Sequence, residues 1–268
     1  MKDLIIVGVL NVTPDSYFDG GKFNAVDAAV KRAGEMLKEG ADIIEVGGES
    51  TGPGSEDVPE DEERKRTISI IKAIKKEYPD ANISIDTYKS SIAKEAIAEG
   101  VMMVDDVTAG RQDPELFGAV VEAGVKLVLM YAKDDSPRTT IEEVQYDDVV
   151  VTVKEFLSSR KEEAMKAGVS EENIILDPGM GHFVSSDPQY SFDLLVGIPQ
   201  LTELGSPLFV SPSRKSFLAG SENLPAADRL PGTIAASALA VLNGATYIRT
   251  HDILLVRRGC EVALATRG

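Results

Sequence analysis

The chain has 268 residues, of which 43% are hydrophobic and 27% charged, enough apolar material for one large core or two small ones. Its 44 acidic residues against 28 basic ones give a formal charge of -16, which excludes general binding to nucleic acid or anionic membranes because phosphates would be repelled. A lone cysteine, Cys260, excludes an intrachain disulfide and a cysteine-based metal cage.

The first apolar run, residues 4–12, contains glycine and is too short and wrongly flanked for a signal peptide or membrane span. It reads as a strand, and the expected compartment is the cytoplasm. Seven more β-rich apolar runs follow, at 42–46, 82–85, 101–104, 125–130, 173–176, 207–210 and 246–248. Charged amphipathic stretches between them read as helices, among them 24–38, 59–76, 90–98, 114–122, 141–167 and 226–242. Gly40, Gly100, Gly124, Gly168, Gly205 and Gly244 mark helix exits just ahead of the next strand. Eight apolar strands separated by helices predict parallel strands buried on both faces. Eight such units in a chain of this size predict a (β/α)8 TIM barrel, in one domain over 1–268. A doubly wound sheet would have fewer strands and a glycine-rich first turn. The polar segment 52–64, with two prolines and two glycines, reads as a mobile loop before its helix.

In such barrels the site forms at the C-terminal strand ends. There the sequence places Asn11 and Thr13-Pro14-Asp15, Glu49-Ser50-Thr51, Asp86-Thr87, Asp105-Asp106, Asp177-Pro178-Gly179, Ser213-Arg214-Lys215 and Arg249-Thr250-His251. Each has an ordinary structural reading taken alone. Thr13-Pro14-Asp15 and Asp177-Pro178-Gly179 are turn chemistry, Asp86-Thr87 is a ready N-cap, Asp105-Asp106 a solvated turn, and Cys260 a small core residue. Their joint placement on one rim is more specific. Asp86, Asp105 and Asp177 with Lys215 suit a flat heterocycle with paired N–H donors, which a carboxylate accepts in bidentate fashion. On the opposite arc Arg249, His251 and Asn11 suit a phosphate group. Acids for a donor-rich ring and bases for phosphate describe a pterin pyrophosphate.

Several motifs, in order along nearly the whole chain, resemble the dihydropteroate synthase family. They are GVLNVTPDSYFDGG at 8–21, DIIEVGGEST at 42–51 with PGS at 53–55, ISIDTYKSSIAKEAI at 83–97, LDPGMG at 176–181, SPSRKSFL at 211–218 and YIRTHD at 247–252. The resemblance implies an eightfold α/β barrel, a homodimer, that joins 6-hydroxymethyl-7,8-dihydropterin pyrophosphate to 4-aminobenzoate, giving 7,8-dihydropteroate and pyrophosphate. It further implies Mg2+ held by pyrophosphate and Asn11. By the same resemblance Asp86, Asp105, Asp177 and Lys215 hold the pterin, and Arg249 and His251 the phosphates. Asp86, Lys215, Arg249 and His251 carry the catalysis. Thr51, Pro53, His182, Phe183, Ser213 and Arg214 lie on the aminobenzoate side, with the 13–21 and 50–58 loops folding over.

The chain also departs from the family pattern. Gly52 stands where Ser-Thr-Arg-Pro-Gly usually has arginine, Asp105 where asparagine is usual, Met130-Tyr131 where Met-His is common, and Gly181-His182-Phe183-Val184 where Gly-Phe-Gly-Lys is common. The Gly-Met-Gly-His-Phe form resembles the sulfonamide-insensitive synthases, so reduced sulfonamide sensitivity is expected. Two other functions compete. A pterin-binding methyltransferase domain would need the acids but neither Asn11 nor Arg249-Thr250-His251, and an altered-acceptor paralogue would rest on Gly52 and His182-Phe183.

Overall fold

The computed structural model describes residues 4–12 and 22–266. The 13–21 loop expected over the site lies outside the described residues. Among the described residues eight strands run as β1 (Ile5–Asn11), β2 (Ile43–Gly47), β3 (Ile83–Asp86), β4 (Met103–Asp106), β5 (Lys126–Met130), β6 (Ile174–Asp177), β7 (Phe209–Val210) and β8 (Tyr247–Thr250). Eight helices among the described residues alternate with them: α1 (Lys22–Glu39), α2 (Glu60–Glu77), α3 (Ser90–Ala98), α4 (Glu115–Ala123), α5 (Val149–Lys166), α6 (Pro188–Thr202), α7 (Leu230–Asn243) and α8 (Ile253–Ala265). All strand pairs are parallel, in the order β6-β5-β4-β3-β2-β1-β8-β7. A parallel bridge between Leu176 and Leu208, with Leu176 N donating to Pro207 O at 3.0 Å, closes β6 onto the β7 side. The expected (β/α)8 TIM barrel is the observed fold.

Strand alternation sorts the side chains. Ile6, Leu10, Ile44, Val46, Ile85, Val104, Leu127 and Leu176 point outward and bury against the helices. Val7, Ile43, Met103, Val128, Ile175, Phe209 and Tyr247 form a separate apolar layer inside the barrel. The next inward position on each strand, two residues on, belongs to the C-terminal mouth, and there the acids begin. All six glycines expected at helix exits have positive φ, as at Gly124 (φ 66°), where a side chain would be strained.

Three local expectations are corrected. Residues 141–148, read as the start of a long helix, are not helical. Asp148 accepts from Val150 N and Val151 N and so starts α5 at Val149. The segment before it is drawn onto the loop after β6 by Val144 N donating to Ser185 Oγ (3.1 Å), and onto the first turn of α6 by Tyr146 N donating to Tyr190 Oη (3.1 Å). Likewise 226–229 is a single tight turn, and α7 begins at Leu230 with proline in its first turn. The Asp86-Thr87 pair does not cap α3; the carboxylate of Asp113 accepts from Ser90 N at 2.8 Å instead.

Candidate active site

Several strands continue past their apolar runs and take the polar residues in as their last positions. Asp86 ends β3, Asp105 and Asp106 end β4, Asp177 ends β6, and Arg249 lies within β8. By alternation Asp105 stands two positions above Met103, Asp177 above Ile175, and Arg249 above Tyr247, so all face the interior. Asp106 takes the other face. It is fully buried and accepts from Thr108 N (2.8 Å), Thr108 Oγ1 (2.7 Å) and Gly110 N (2.5 Å), which makes it the keystone of its turn rather than a solvated residue.

The same alternation reveals Glu45, which the sequence reading passed over as part of an apolar strand. It is wholly buried two positions above Ile43, and Arg249 Nε donates to it. Arg249 Nη2 donates to Asp86 Oδ2 at 2.9 Å, so one guanidinium joins β2, β3 and β8. Its signal was a lone charge inside the run Ile43-Ile44-Glu45-Val46-Gly47. Burial works against the Arg249 charge, but Glu45, Asp86 and Asp105 outweigh it and raise its pKa.

Four carboxylates carried on the strands (Glu45, Asp86, Asp105, Asp177) thus share the mouth with Arg249 and Lys215. An excess of desolvated acid holds protons. Burial raises the pKa of Asp105 well above its ordinary value, reinforced by the charges of Glu45 and Asp86. Asp86 is raised by burial against the opposing pull of Arg249. Asp177 is pushed up to about 6 by burial, with Lys215 opposing. Lys215 is pulled down to about 8, again by burial, with Asp177 opposing. Its ammonium lies 4.9 Å from the centre of the Phe183 ring.

The Asp177-Pro178-Gly179 turn aims this acid. Gly179 N donates to Asp177 Oδ1 at 2.7 Å, leaving the other oxygen for a ligand. Gly179 has φ of +67°, and a Cβ there would meet Tyr131 O at 2.4 Å, so only glycine fits.

Around these residues lies a cleft of about 400 Å³, lined by Asn11, Glu49, Thr51, Gly52, Asp86, Phe183, Ser213, Lys215, Arg249 and His251 among others. A narrow inner extension of about 50 Å³ reaches Asp105, Asp177 and Met130. Ser213 Oγ accepts from His251 N (3.2 Å) and lies 2.9 Å from His251 Nδ1. Thr250 Oγ1 also donates to Ser213 Oγ at 3.4 Å, so both serine lone pairs are taken and the serine proton is assigned to Nδ1, which leaves Nε2–H as the free donor. Desolvation and the Arg249 charge lower the His251 pKa, so the ring is a neutral donor near pH 7.

Of the residues named from sequence, ten therefore meet at this mouth: Asn11, Thr51, Asp86, Asp105, Asp177, Phe183, Ser213, Lys215, Arg249 and His251. Three do not line the cleft. Pro53 is exposed on its loop. His182 is half-buried with Nδ1 unpartnered, its carbonyl accepting from Thr139 Oγ1 at 2.7 Å. Arg214, at φ 57°, turns to Asp252 in a bidentate pair of 2.8 and 2.6 Å and supports the loop from behind. Among the described residues, no group of three His, Cys, Asp or Glu side chains is placed to hold a metal ion. Of the segment 52–64, expected to be a mobile loop, residues 60–64 belong to α2, and 52–59 is held by hydrogen bonds. Ser55 Oγ donates to Gly52 O (2.7 Å), and Lys89 Nζ donates to Val58 O (2.8 Å) and to Glu49 Oε2 (2.6 Å).

Comparison with known proteins covers nearly the whole chain. Residues 7–251 match the pterin binding enzyme family. The chain is 40% identical over 258 residues to a dihydropteroate synthase of Clostridium beijerinckii, covering 96% of this chain and 92% of that protein. It superposes with a TM-score of 0.91 on a Clostridium difficile dihydropteroate synthase crystallised in the presence of pteroic acid, at 38% identity over 99% of this chain and 97% of the other. A Xanthomonas albilineans dihydropteroate synthase with 4-aminobenzoic acid superposes with a TM-score of 0.90, at 35% identity over 99% and 94% of the two chains.

Proposed function

The chain belongs to the pterin binding enzyme family, and from that premise we propose that it is a transferase of folate biosynthesis. It would condense 6-hydroxymethyl-7,8-dihydropterin pyrophosphate with 4-aminobenzoate to give 7,8-dihydropteroate and pyrophosphate. The observation that carries the reading is one barrel mouth where Asp86, Asp105, Asp177 and Lys215 face Arg249, His251 and Asn11.

Roles follow from the chemistry. The free Asp177 oxygen and its acidic neighbours accept from the amino-pyrimidinone edge, and Lys215 donates to the ring carbonyl or imine nitrogen. Arg249 and the His251 Nε2–H meet the pyrophosphate. As the C–O bond to pyrophosphate breaks, positive charge spreads from the exocyclic methylene into the dihydropterin, facing the acidic wall. The aryl amine then forms the C–N bond and releases its proton. No nucleophilic side chain is needed, so Cys260, fully buried in α8, takes no part.

Asn11, at the cleft edge, offers one neutral oxygen, which suits Mg2+ arriving with the pyrophosphate and keeping several waters. Bound there, the ion would neutralise charge on the leaving group. Exposed Phe192 and Val196 on α6, Leu239 on α7 and Leu255 and Val262 on α8 support a homodimer through these adjoining helices. No helix among the described residues is long and apolar enough to cross a membrane. A cytoplasmic location accords with small charged substrates.

Phe183 and Gly52 on the cleft support the further reading of reduced sulfonamide sensitivity. Inhibition at the potency seen with ordinary synthases removes it. Asn11, Arg249 and His251 on one cleft weigh against a corrinoid-linked methyltransferase. The assay supplies pterin pyrophosphate, 4-aminobenzoate and Mg2+ to the purified protein. Stoichiometric pyrophosphate and dihydropteroate are expected. Pyrophosphate without dihydropteroate indicates another acceptor, and no pterin binding overturns the reading.

A further inference from the structure

The loop after β2 and the loop after β5 spring from strands separated by β3 and β4, yet they meet across the mouth. Arg138, in the loop after β5, donates to the carboxylates of Glu49 and Asp57 and to Glu56 O at 2.9 Å. The next residue, Thr139, is 3% exposed and reaches two ways. Its N donates to Thr51 O at 3.1 Å, and its Oγ1 donates to His182 O at 2.7 Å. Lys133 N donates to Phe183 O at 2.9 Å, completing a belt from the loop after β2, through the loop after β5, to the loop after β6.

The contacts concentrate on one acid. The Glu49 side chain is 4% exposed and lines the cleft, and it takes Arg138 on one oxygen and Lys89 on the other at 2.6 Å. Lys89 also donates to Glu63 Oε2 at 2.6 Å on α2. A desolvated carboxylate held by two cations from different elements has one orientation, unlike an exposed ion pair. The ends of the belt matter because Thr51 and Phe183 both line the cleft and its inner extension.

We propose that Arg138 and Thr139 are positioning residues that clasp the loop after β2 to the loop after β6, and so fix Thr51 and Phe183 at the spacing through which the aryl amine enters. Neither touches the reacting atoms. The assignment of that side to the amine rests on the function proposed above. The clasp bears chiefly on the acceptor side, since Asp86, Asp105 and Asp177 stand on strands and need no loop to hold them.

Three variants test it: Arg138→Met, which keeps the stem and removes the charge, Arg138→Lys as the conservative rescue, and Thr139→Val. Arg138→Met and Thr139→Val should raise KM for 4-aminobenzoate about tenfold, with pterin affinity by calorimetry within about twofold of wild type. Arg138→Lys should recover part of the loss. A readout without turnover accompanies this: cleavage after Glu56 by a glutamate-specific protease should speed up in Arg138→Met and less in Arg138→Lys. Unchanged acceptor KM and unchanged cleavage overturn the clasp. So does a parallel loss of pterin affinity and acceptor KM, which would mark general destabilisation. Faster cleavage of Arg138→Met, together with no dihydropteroate made by the wild-type protein, would uphold the clasp and sink the functional reading instead.

Discussion

Inside the barrel, Ile43, Met103, Ile175 and Tyr247 belong to an apolar layer, while two residues further along the same strands stand Glu45, Asp105, Asp177 and Arg249. The two layers share strands and face, and differ in chemistry and in that the upper one opens onto the cleft. The lower one contributes through area removed from water, roughly 1.5–3 kcal/mol for each large side chain. The upper one carries the desolvation of four acids and two cations, which ion pairing offsets only in part. A barrel built for stability alone would continue the lower layer to the rim. The upper layer is therefore the price of a binding site, and the fold's stability should come from below it.

Arg249→Met should break the contrast most severely. It leaves Glu45 and Asp86 facing each other without a counter-charge and removes the main phosphate ligand. The rate of dihydropteroate formation should fall about 10³-fold or more, measured at saturating substrates. Gly179→Ala comes next. Left-handed backbone costs a non-glycine residue about 1–2 kcal/mol, and the clash with Tyr131 O adds to it. Urea denaturation should show about 2 kcal/mol or more lost, with weaker pterin binding because Asp177 is re-aimed.

The strands, their parallel order and the barrel could be read from the sequence because each run of apolar residues is continuous and each helix exit carries a glycine. The acids could be read as rim residues for the same reason. Glu45 was hidden because its own neighbours are apolar, and only the partner Arg249, 204 residues away, gives it meaning. Arg138 and Thr139 had no local signal at all, since their partners lie on loops distant in sequence. The extended segment 141–148 was misread because its glutamates favour helix, whereas contacts with the loop after β6 and with α6 hold it open. Arg214 was assigned from its motif, and its bidentate pairing with Asp252 was invisible there.

The pH dependence sharpens the comparison with smaller effects. Catalysis needs Asp177 ionised and Lys215 protonated, so kcat/KM for the pterin substrate should be bell-shaped, with limbs near 6 and 8. Stability should run the other way on the acid side. The folded-state pKa of Asp177 is raised, so the folded protein binds more protons than the unfolded chain between about 4 and 6. This group's contribution to stability therefore falls as pH rises through that window. In Asp177→Asn that part of the pH slope should vanish, a change of a few degrees in Tm by calorimetry. A slope identical in the two proteins would remove Asp177 from the account.

The most direct test measures two quantities on two proteins, Phe209→Ala in the lower layer and Asp177→Asn in the upper. Phe209→Ala should lose about 3–5 kcal/mol in chemical denaturation, while its pterin Kd stays within about twofold of wild type. Asp177→Asn keeps the oxygen that accepts from Gly179 N and should match or exceed wild-type stability. Its pterin Kd should weaken by about 10- to 100-fold, the loss of a charged hydrogen bond. Wild-type pterin affinity in Asp177→Asn, or a stability loss in it equal to that of Phe209→Ala, would contradict the division between the layers.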